Sequence, residues 1–225
     1  MIIDFHAHIQ PGTDHGCDNI DMSKKQLLLA KQAGVDVVVS VCHFYPYKEN
    51  GNGFFSRVLP LRQQLKEYVE TDPSLPRVLY GSEVTLCAGL EKMQRLKELC
   101  IEGTNCILIE MPFSNWDNKL FDTLDALRYQ CGLSPILAHV DRYDHREIEK
   151  LFSMDFPGQL NAEGFSSLLT RGRLLKWIKN GNIVALGSDI HKLSSEYDKF
   201  EKAVKIIGKD NLSAIMDKSR ELLNL

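Results

Sequence analysis

Seven short apolar runs, each followed by a stretch of helical periodicity, leave this 225-residue chain few ways to fold. They predict strands over Ile2–His8, Val35–Val41, Val78–Thr85, Cys106–Met111, Pro135–Val140, Gln159–Glu163 and Ile183–Asp189. The runs are rich in Val, Ile and Leu and hardly alternate with polar residues, as strands buried on both faces of a parallel sheet do. Parallel neighbours need right-handed helical crossovers, so the chain winds either into a doubly wound sheet or into a closed barrel. Helices are expected from Ser23, as cap, to a stop at Gly34, then over Arg57–Val69, Leu90–Ile101, Asp117–Cys131, 144–153 and 166–180. Two more, 195–207 and 210–222, follow the last strand. The stretch 44–56 (FYPYKENGNGFFS) is the longest irregular piece, and reads equally as a mobile lid or a plain connection. No linker or low-complexity tract divides the chain, and its length suits one domain over 1–225.

The chemistry-bearing residues occupy one kind of place in this frame. His6 and His8 end the first predicted strand, His43 follows the second, and Glu83 lies near the end of the third. Glu110 ends the fourth, His139 the fifth, and Asp189 with His191 the seventh. In a parallel barrel every strand's C-terminal end opens on the same face, so these side chains converge on one mouth. His6 and His8 are two apart and share a strand face; Asp189 and His191 repeat that spacing. Imidazoles and carboxylates without thiolates suit Mn²⁺, Fe²⁺ or Zn²⁺. Eight donors exceed what one tetrahedral or octahedral ion holds, so two or three ions are expected, with Glu83 able to bridge a pair. His43 alone would read equally well as a satisfied buried histidine; the HxH, the DxH and the other strand-end donors together do not. His145, in DRYDHRE at a helix start, reads as a surface residue.

Charge and cysteine usage exclude several classes. The formal net charge is −3 and Lys and Arg form no cluster, which argues against a nucleic-acid partner. The start, MIIDFHAHIQPG, has no basic leader with an apolar run behind it, and no stretch approaches the roughly 20 apolar residues that cross a bilayer. A cytoplasmic address without a transmembrane segment is expected. The six cysteines form no CxxC pair, and Cys42, Cys87 and Cys106 lie in or beside apolar runs, so reduced structural thiols are expected.

Taken as whole motifs, the sequence resembles a known superfamily. IIDFHAHIQPGTDHG, VCHFYP, GSEVTL, ILIEMPF, ILAHVDRY and GSDIHKL run in order from residue 2 to about residue 193. They resemble the polymerase-and-histidinol-phosphatase (PHP) superfamily, and within it the manganese-dependent protein-tyrosine phosphatases of bacterial capsular and exopolysaccharide operons. The resemblance implies an α/β fold, a distorted (β/α)7 TIM-like barrel, with three ions at its mouth. Carried over by position, His6, His8, Glu83 and Asp189 would hold one ion and Glu83, Glu110 and His139 a second. His43 and His191 would share the third with a residue of the loop after strand one. In that loop the relatives carry Asp-Asp-Gly, whereas this chain has Asp14-His15-Gly16; His15 falls at the ligand position and is preferred to Asp14. The relatives also have an Arg-Pro shortly after the last motif, where this chain reads SSEYDKF. Arg142 remains as a phosphate-binding and catalytic candidate, its fork suiting a bidentate contact. Lys192 or Arg57 is the cation available to replace the missing Arg.

The resemblance implies hydrolysis of a phosphomonoester by a metal-bound hydroxide, with Arg142 adding positive charge at the phosphoryl group. The substrate would be a phosphotyrosine protein such as the tail of a bacterial tyrosine kinase. No HCxxxxxR loop is present, so no cysteine serves as nucleophile. The alternative is another PHP or amidohydrolase-type hydrolase of a small phosphorylated or amide substrate. Against an amidohydrolase stand the glutamates of strands three and four, the DxH pair, and the lack of a lysine ending strand four. A nuclease would want a basic groove, and a degenerate binding module would show a broken ligand set. The oligomeric state is left open.

Overall fold

The computed structural model describes residues 1–114 and 116–225. The seven predicted runs appear as nine strand segments, all paired in parallel. The second run is split into β2 (Val37–Ser40) and β3 (His43–Phe44), and the third into β4 (Arg77–Tyr80) and β5 (Glu83–Thr85). The others are β1 (Ile3–Ala7), β6 (Cys106–Glu110), β7 (Ser134–Leu137), β8 (Gly158–Asn161) and β9 (Ile183–Gly187). One sheet runs β1-β2-β4 and the other β3-β5-β6-β7-β8-β9. Backbone hydrogen bonds carry the ladder across the breaks: Val41 N–H donates to the Ala7 carbonyl at 3.0 Å, Gly81 to Ser40 at 2.9 Å and Glu83 to Cys42 at 3.0 Å.

The circuit closes where the first strand meets the last. Ala7 and Ile190 form a parallel bridge, His8 N–H donates to the Ile190 carbonyl (3.1 Å), and Asp189 N–H to that of His6 (2.7 Å). The product is a distorted parallel α/β barrel. Every residue of β1 and β9 is buried, so β9 reads as a continuous apolar run, while β1 buries Asp4 and His6 along with its apolar residues. The helix α7 (Lys209–Leu222) packs on this seam, with Ser219 Oγ donating to the Val184 carbonyl at 2.7 Å. All six cysteines are free. No helix among the described residues is long and apolar enough to cross a membrane.

Three boundaries differ from expectation for identifiable reasons. The first helix, α1 (Ile20–Gln32), is capped by Asn19, whose side chain accepts from Met22 N–H at 3.0 Å; Ser23 lies buried inside the first turn, against Cys17. The second, α2 (Gly51–Thr71), begins well before Arg57, because Asn50 caps Gly53 and the first turn buries Phe54 and Phe55 edge-on at 5.1 Å. Only residues 45–50 therefore remain irregular, and the lid reading of 44–56 contracts to them. The helix expected over Leu90–Ile101 is two 3₁₀ turns, Leu90–Lys92 and Leu96–Leu99, interrupted where Arg95 takes φ 63°. The remaining helices, α3 (Asn118–Tyr129), α4 (His145–Ser153), α5 (Leu168–Lys179) and α6 (Glu196–Ile207), lie close to the predicted spans. The run predicted to reach Glu163 ends as strand at Asn161 and continues as a 3₁₀ turn, Ala162–Ser166.

Candidate metal centre

Strand alternation puts Asp4, His6 and His8 of β1 on one face. Asp4 lies deepest, accepting from Ser188 N–H (2.8 Å), Ser188 Oγ (2.6 Å) and Tyr197 OH (2.9 Å), and so fastens β1 to the end of β9. Above it the Nε2 atoms of His6 and His8 stand 3.0 Å apart. His6 Nδ1 faces Gln159 Oε1 at 3.1 Å, and His8 Nδ1 faces Asp14 Oδ2 at 2.8 Å. Both partners are acceptors, so each Nδ1 carries a proton, and the two Nε2 atoms are left facing each other. Nitrogens that close call for a cation, a proton or a metal ion, at that point.

Glu83, at the start of β5 and 1% exposed, is the centre of the cluster. Its Oε1 lies 2.7 Å from His139 Nε2, and its Oε2 lies 3.0 Å from His43 Nδ1, 3.2 Å from His8 Nε2 and 3.4 Å from His6 Nε2. One oxygen of Asp189 points the same way, 3.4 Å from His6 Nε2 and 3.5 Å from His8 Nε2. Glu110 Oε1 stands 3.9 Å from His139 Nε2, and its other oxygen accepts from Thr85 Oγ1 at 2.7 Å. The electrostatics follow from this crowding. Burial disfavours a charge on His8, yet Asp14 and Glu83 outweigh it and raise the imidazole well above its ordinary range. Burial likewise opposes ionisation of Glu83, but the crowded imidazoles of His6, His139 and His43 hold it well below the carboxylate range. His191 is pushed down to about 4 by burial and by His8. The mouth thus stabilises both its carboxylates and a concentrated positive charge.

The donor set fits metal ions on its own geometry. His43 Nδ1 and Nε2, Glu83 Oε2, His139 Nδ1 and His191 Nε2 are buried without a hydrogen-bond partner, although such atoms are normally satisfied. Three donor groups each lie within 4.8 Å of one another: His6, His8 and Asp189; His43, Glu83 and Glu110; His8, His43 and His191. His139 and Asp189, two of the expected ligands, hold left-handed backbone at φ 32° and 53°, a strain that clusters at functional sites.

A family model described as capsular polysaccharide synthesis, CpsB/CapC, matches residues 2–220. The chain belongs to the CpsB/CapC family. It is 25% identical over 225 residues to the tyrosine-protein phosphatase CpsB of Streptococcus pneumoniae, covering 92% of this chain and 90% of that one. The CpsB of Streptococcus agalactiae is 22% identical over 231 residues, covering 93% and 90%. Among solved structures, the fold superposes with a TM-score of 0.81 at 20% identity on one described as YwqE from Bacillus subtilis and CpsB from Streptococcus pneumoniae, unique metal-dependent tyrosine phosphatases. That match covers 99% of this chain and 94% of the other. A protein from Acinetobacter baumannii described as a probable 2-pyrone-4,6-dicarboxylic acid hydrolase shares the fold more loosely, at 13% identity and TM-score 0.57.

Within this CpsB/CapC chain the two loop residues occupy different places. Asp14 is engaged on both oxygens: it accepts from His8 Nδ1, from His43 N–H (3.0 Å) and from Gly16 N–H (2.8 Å). His15 instead stacks on His43 (centroids 4.9 Å apart, 8° between planes) and on His191 (4.5 Å). Arg142 pairs with the outer oxygen of Asp189 at 2.5 Å, its side chain 41% exposed. Lys192 is exposed, and among the described residues its side chain forms no ion pair. Arg57 is spent on the Thr13 carbonyl and on Glu49 at 2.5 Å. His145 begins α4, half-buried, and takes no part in the cluster.

Two amides escaped the sequence reading. Gln159 and Asn161 lie two apart on β8, the strand that supplies no candidate ligand. Gln159 Oε1 accepts from His6 Nδ1 and from His139 N–H (2.8 Å), while its Nε2 donates to Asn161 Oδ1 (2.9 Å). Asn161 Nδ2 in turn donates to Asp189 Oδ2 at 2.9 Å. This relay fixes the His6 tautomer and aims the inner oxygen of Asp189. The available signal was Gln-x-Asn on an otherwise apolar buried strand, the same spacing as the HxH pair. Gln159→Leu should weaken metal binding by about 10–100-fold, as loss of a ligand's hydrogen-bond partner does. Titration calorimetry with Mn²⁺ measures it, and unchanged affinity would remove the role.

Proposed function

We propose that the chain is a metal-dependent phosphomonoesterase acting on protein phosphotyrosine, with residues 1–225 as one catalytic domain. The observation that carries this is the convergence of four histidines on the buried carboxylate of Glu83. His6, His8 and Asp189 would hold one ion, and Glu110 and His139 a second, with Glu83 shared between them. His43, His191 and His15 would hold a third, Asp14 serving instead to orient His8. Mn²⁺ is the ion we assign, with Fe or Zn²⁺ compatible with the same donors. When bound, such ions lower the pKa of water and neutralise charge on a phosphoryl group. The chain supplies the rest. Among the described residues Arg142 contacts Asp189 through one guanidinium nitrogen, which leaves donors to grip phosphoryl oxygens beside the cluster. Burial of the ligands excludes bulk water and strengthens each of these contacts. Cytoplasmic action on a phosphotyrosine protein, such as the tail of a bacterial tyrosine kinase, completes the reading; membership of a capsular polysaccharide synthesis family supports it.

Purified protein with Mn²⁺ should hydrolyse p-nitrophenyl phosphate and phosphotyrosine peptides, and EDTA should abolish both activities until Mn²⁺ is restored. Chelation should also lower Tm, since ions bound only by the folded state stabilise it. Hydrolysis indifferent to EDTA, or none of either substrate with Mn²⁺ bound, refutes the proposal.

A further inference from the structure

Beside the cluster, the loops that follow β6 and β7 enclose a chamber of about 530 Å³, lined among others by Phe113, Trp116, Phe121, Arg142, Tyr143 and Glu147. It opens on the same barrel face as the candidate ligands, because Glu110 and His139 immediately precede those two loops. Three of its rings form one surface: Phe113 and Tyr143 lie 5.4 Å apart and Trp116 meets Tyr143 edge-on at 5.5 Å. Two of them are fixed in place by their polar ends. Trp116 Nε1 donates to the Pro112 carbonyl at 2.7 Å, and Tyr143 OH accepts from Met111 N–H at 3.1 Å. Their faces are thus pre-set, while Phe113 stands 74% exposed.

Among the described residues each charge on the rim has a partner, Arg142 keeping spare donors for the phosphoryl group. Glu147 pairs with Lys150 at 2.7 Å, Asp144 caps α4 through Arg146 N–H at 2.8 Å, and Arg142 holds Asp189. What the chamber has left to offer is aromatic surface. Its two ends stand at different distances from the cluster. Ring contacts run from His139 to Tyr143 (5.6 Å) and from Tyr143 on to Phe113 and Trp116, so Arg142 and Tyr143 form the chamber's near end and Phe113 and Trp116 its far end. A phosphoaryl ring, tied to phosphorus through one oxygen, stays on the near side. An extended peptide advances roughly 3.3–3.6 Å per residue, which brings a neighbouring side chain there.

We propose that this chamber is a peptide subsite that takes an aromatic side chain one or two positions from the phosphotyrosine. The inference rests on the phosphatase reading above and adds a substrate preference to it.

The test compares two phosphotyrosine peptides, flanked by Phe or by Ala at those positions, alongside p-nitrophenyl phosphate, on the Mn²⁺-loaded enzyme. The Phe-flanked peptide should have kcat/KM about tenfold higher. In Phe113→Ala and in Trp116→Ala that ratio should fall to within about twofold, whereas Leu169→Ala, at a 94% exposed position on α5, should preserve it. A ratio near one in the parent enzyme, or one unmoved in both variants, overturns the subsite. An equal loss for all three substrates in the variants also overturns it, by assigning the chamber to the phosphoaryl ring itself. If nothing is hydrolysed, the phosphatase reading falls separately. Phosphonate analogues of the two peptides then decide the subsite by binding, read from Trp116 fluorescence against the buried Trp177: tighter binding of the Phe-flanked analogue upholds it and equal binding overturns it.

Discussion

Glu83→Gln should reduce kcat/KM by about 10²–10³-fold, the scale on which loss of one preorganised charge contact is felt, and should lower bound metal by at least one ion per chain. The substitution keeps the shape of the side chain and removes its charge. Oε1 and Oε2 together face four imidazoles at 2.7–3.4 Å, and no other carboxylate reaches as many. An amide would turn an NH₂ toward at least one ring nitrogen whose lone pair is needed for a ligand. Buried beside His6 and His8, the carboxylate also balances the positive charge that the mouth concentrates. Metal content of the purified variant, read with its kinetics, separates loss of ligation from general damage. A variant that retains full metal and full turnover would remove Glu83 from the centre of the site.

Gly187→Ala should be among the most damaging small substitutions in the chain. A Cβ built there would lie 2.6 Å from His6 Cβ and 2.7 Å from Gln159 Nε2, far inside van der Waals contact. Neither neighbour can retreat cheaply, because His6 is on a fully buried strand and Gln159 is held at both ends. Overpacking of this kind costs about 1–3 kcal/mol, and each kcal/mol lowers Tm by roughly 2–4 °C in a domain of this size. Metal affinity should fall with it, since the methyl group pushes on one ligand and on the amide that orients it. Gly172→Ala is the control: it lies in α5 with nothing within 4 Å of the added carbon, so stability should hold or rise by about 0.5–1 kcal/mol. Equal thermal stability of the two variants would refute the close-packing argument.

How much of this was legible in the sequence depended on the kind of force involved. The strand runs were plain because a parallel barrel buries both faces of each strand, and the ligand candidates were plain because charged and imidazole groups at the ends of such runs have no bland explanation together. Asn19 and Asn50 were harder, since a cap is recognised by the turn it completes and Ser23 offered an equally good cap one turn later. The early start of α2 was hidden behind two glycines; the burial of Phe54 and Phe55, a tertiary effect, overrides their weak helix propensity. Gln159 and Asn161 were invisible for another reason. Neutral amides attract no attention until their partners are known, and those partners lie on β1, β7's end and β9's end. The departures from the family pattern were visible as letters, but only packing separates the engaged Asp14 from the stacked His15.

The barrel's seam, where Ala7 meets Ile190, also sets a timetable for the chain. A ribosome translating at about 5–20 residues per second exposes the first two histidines long before the last aspartate and histidine exist. Until then no nascent segment contains a complete set of donors, however well its early strands have paired. On the proposed ligand sets the two ions that draw on Asp189 and His191 are therefore the last to be held, and a truncated or stalled product would lack both of those sites.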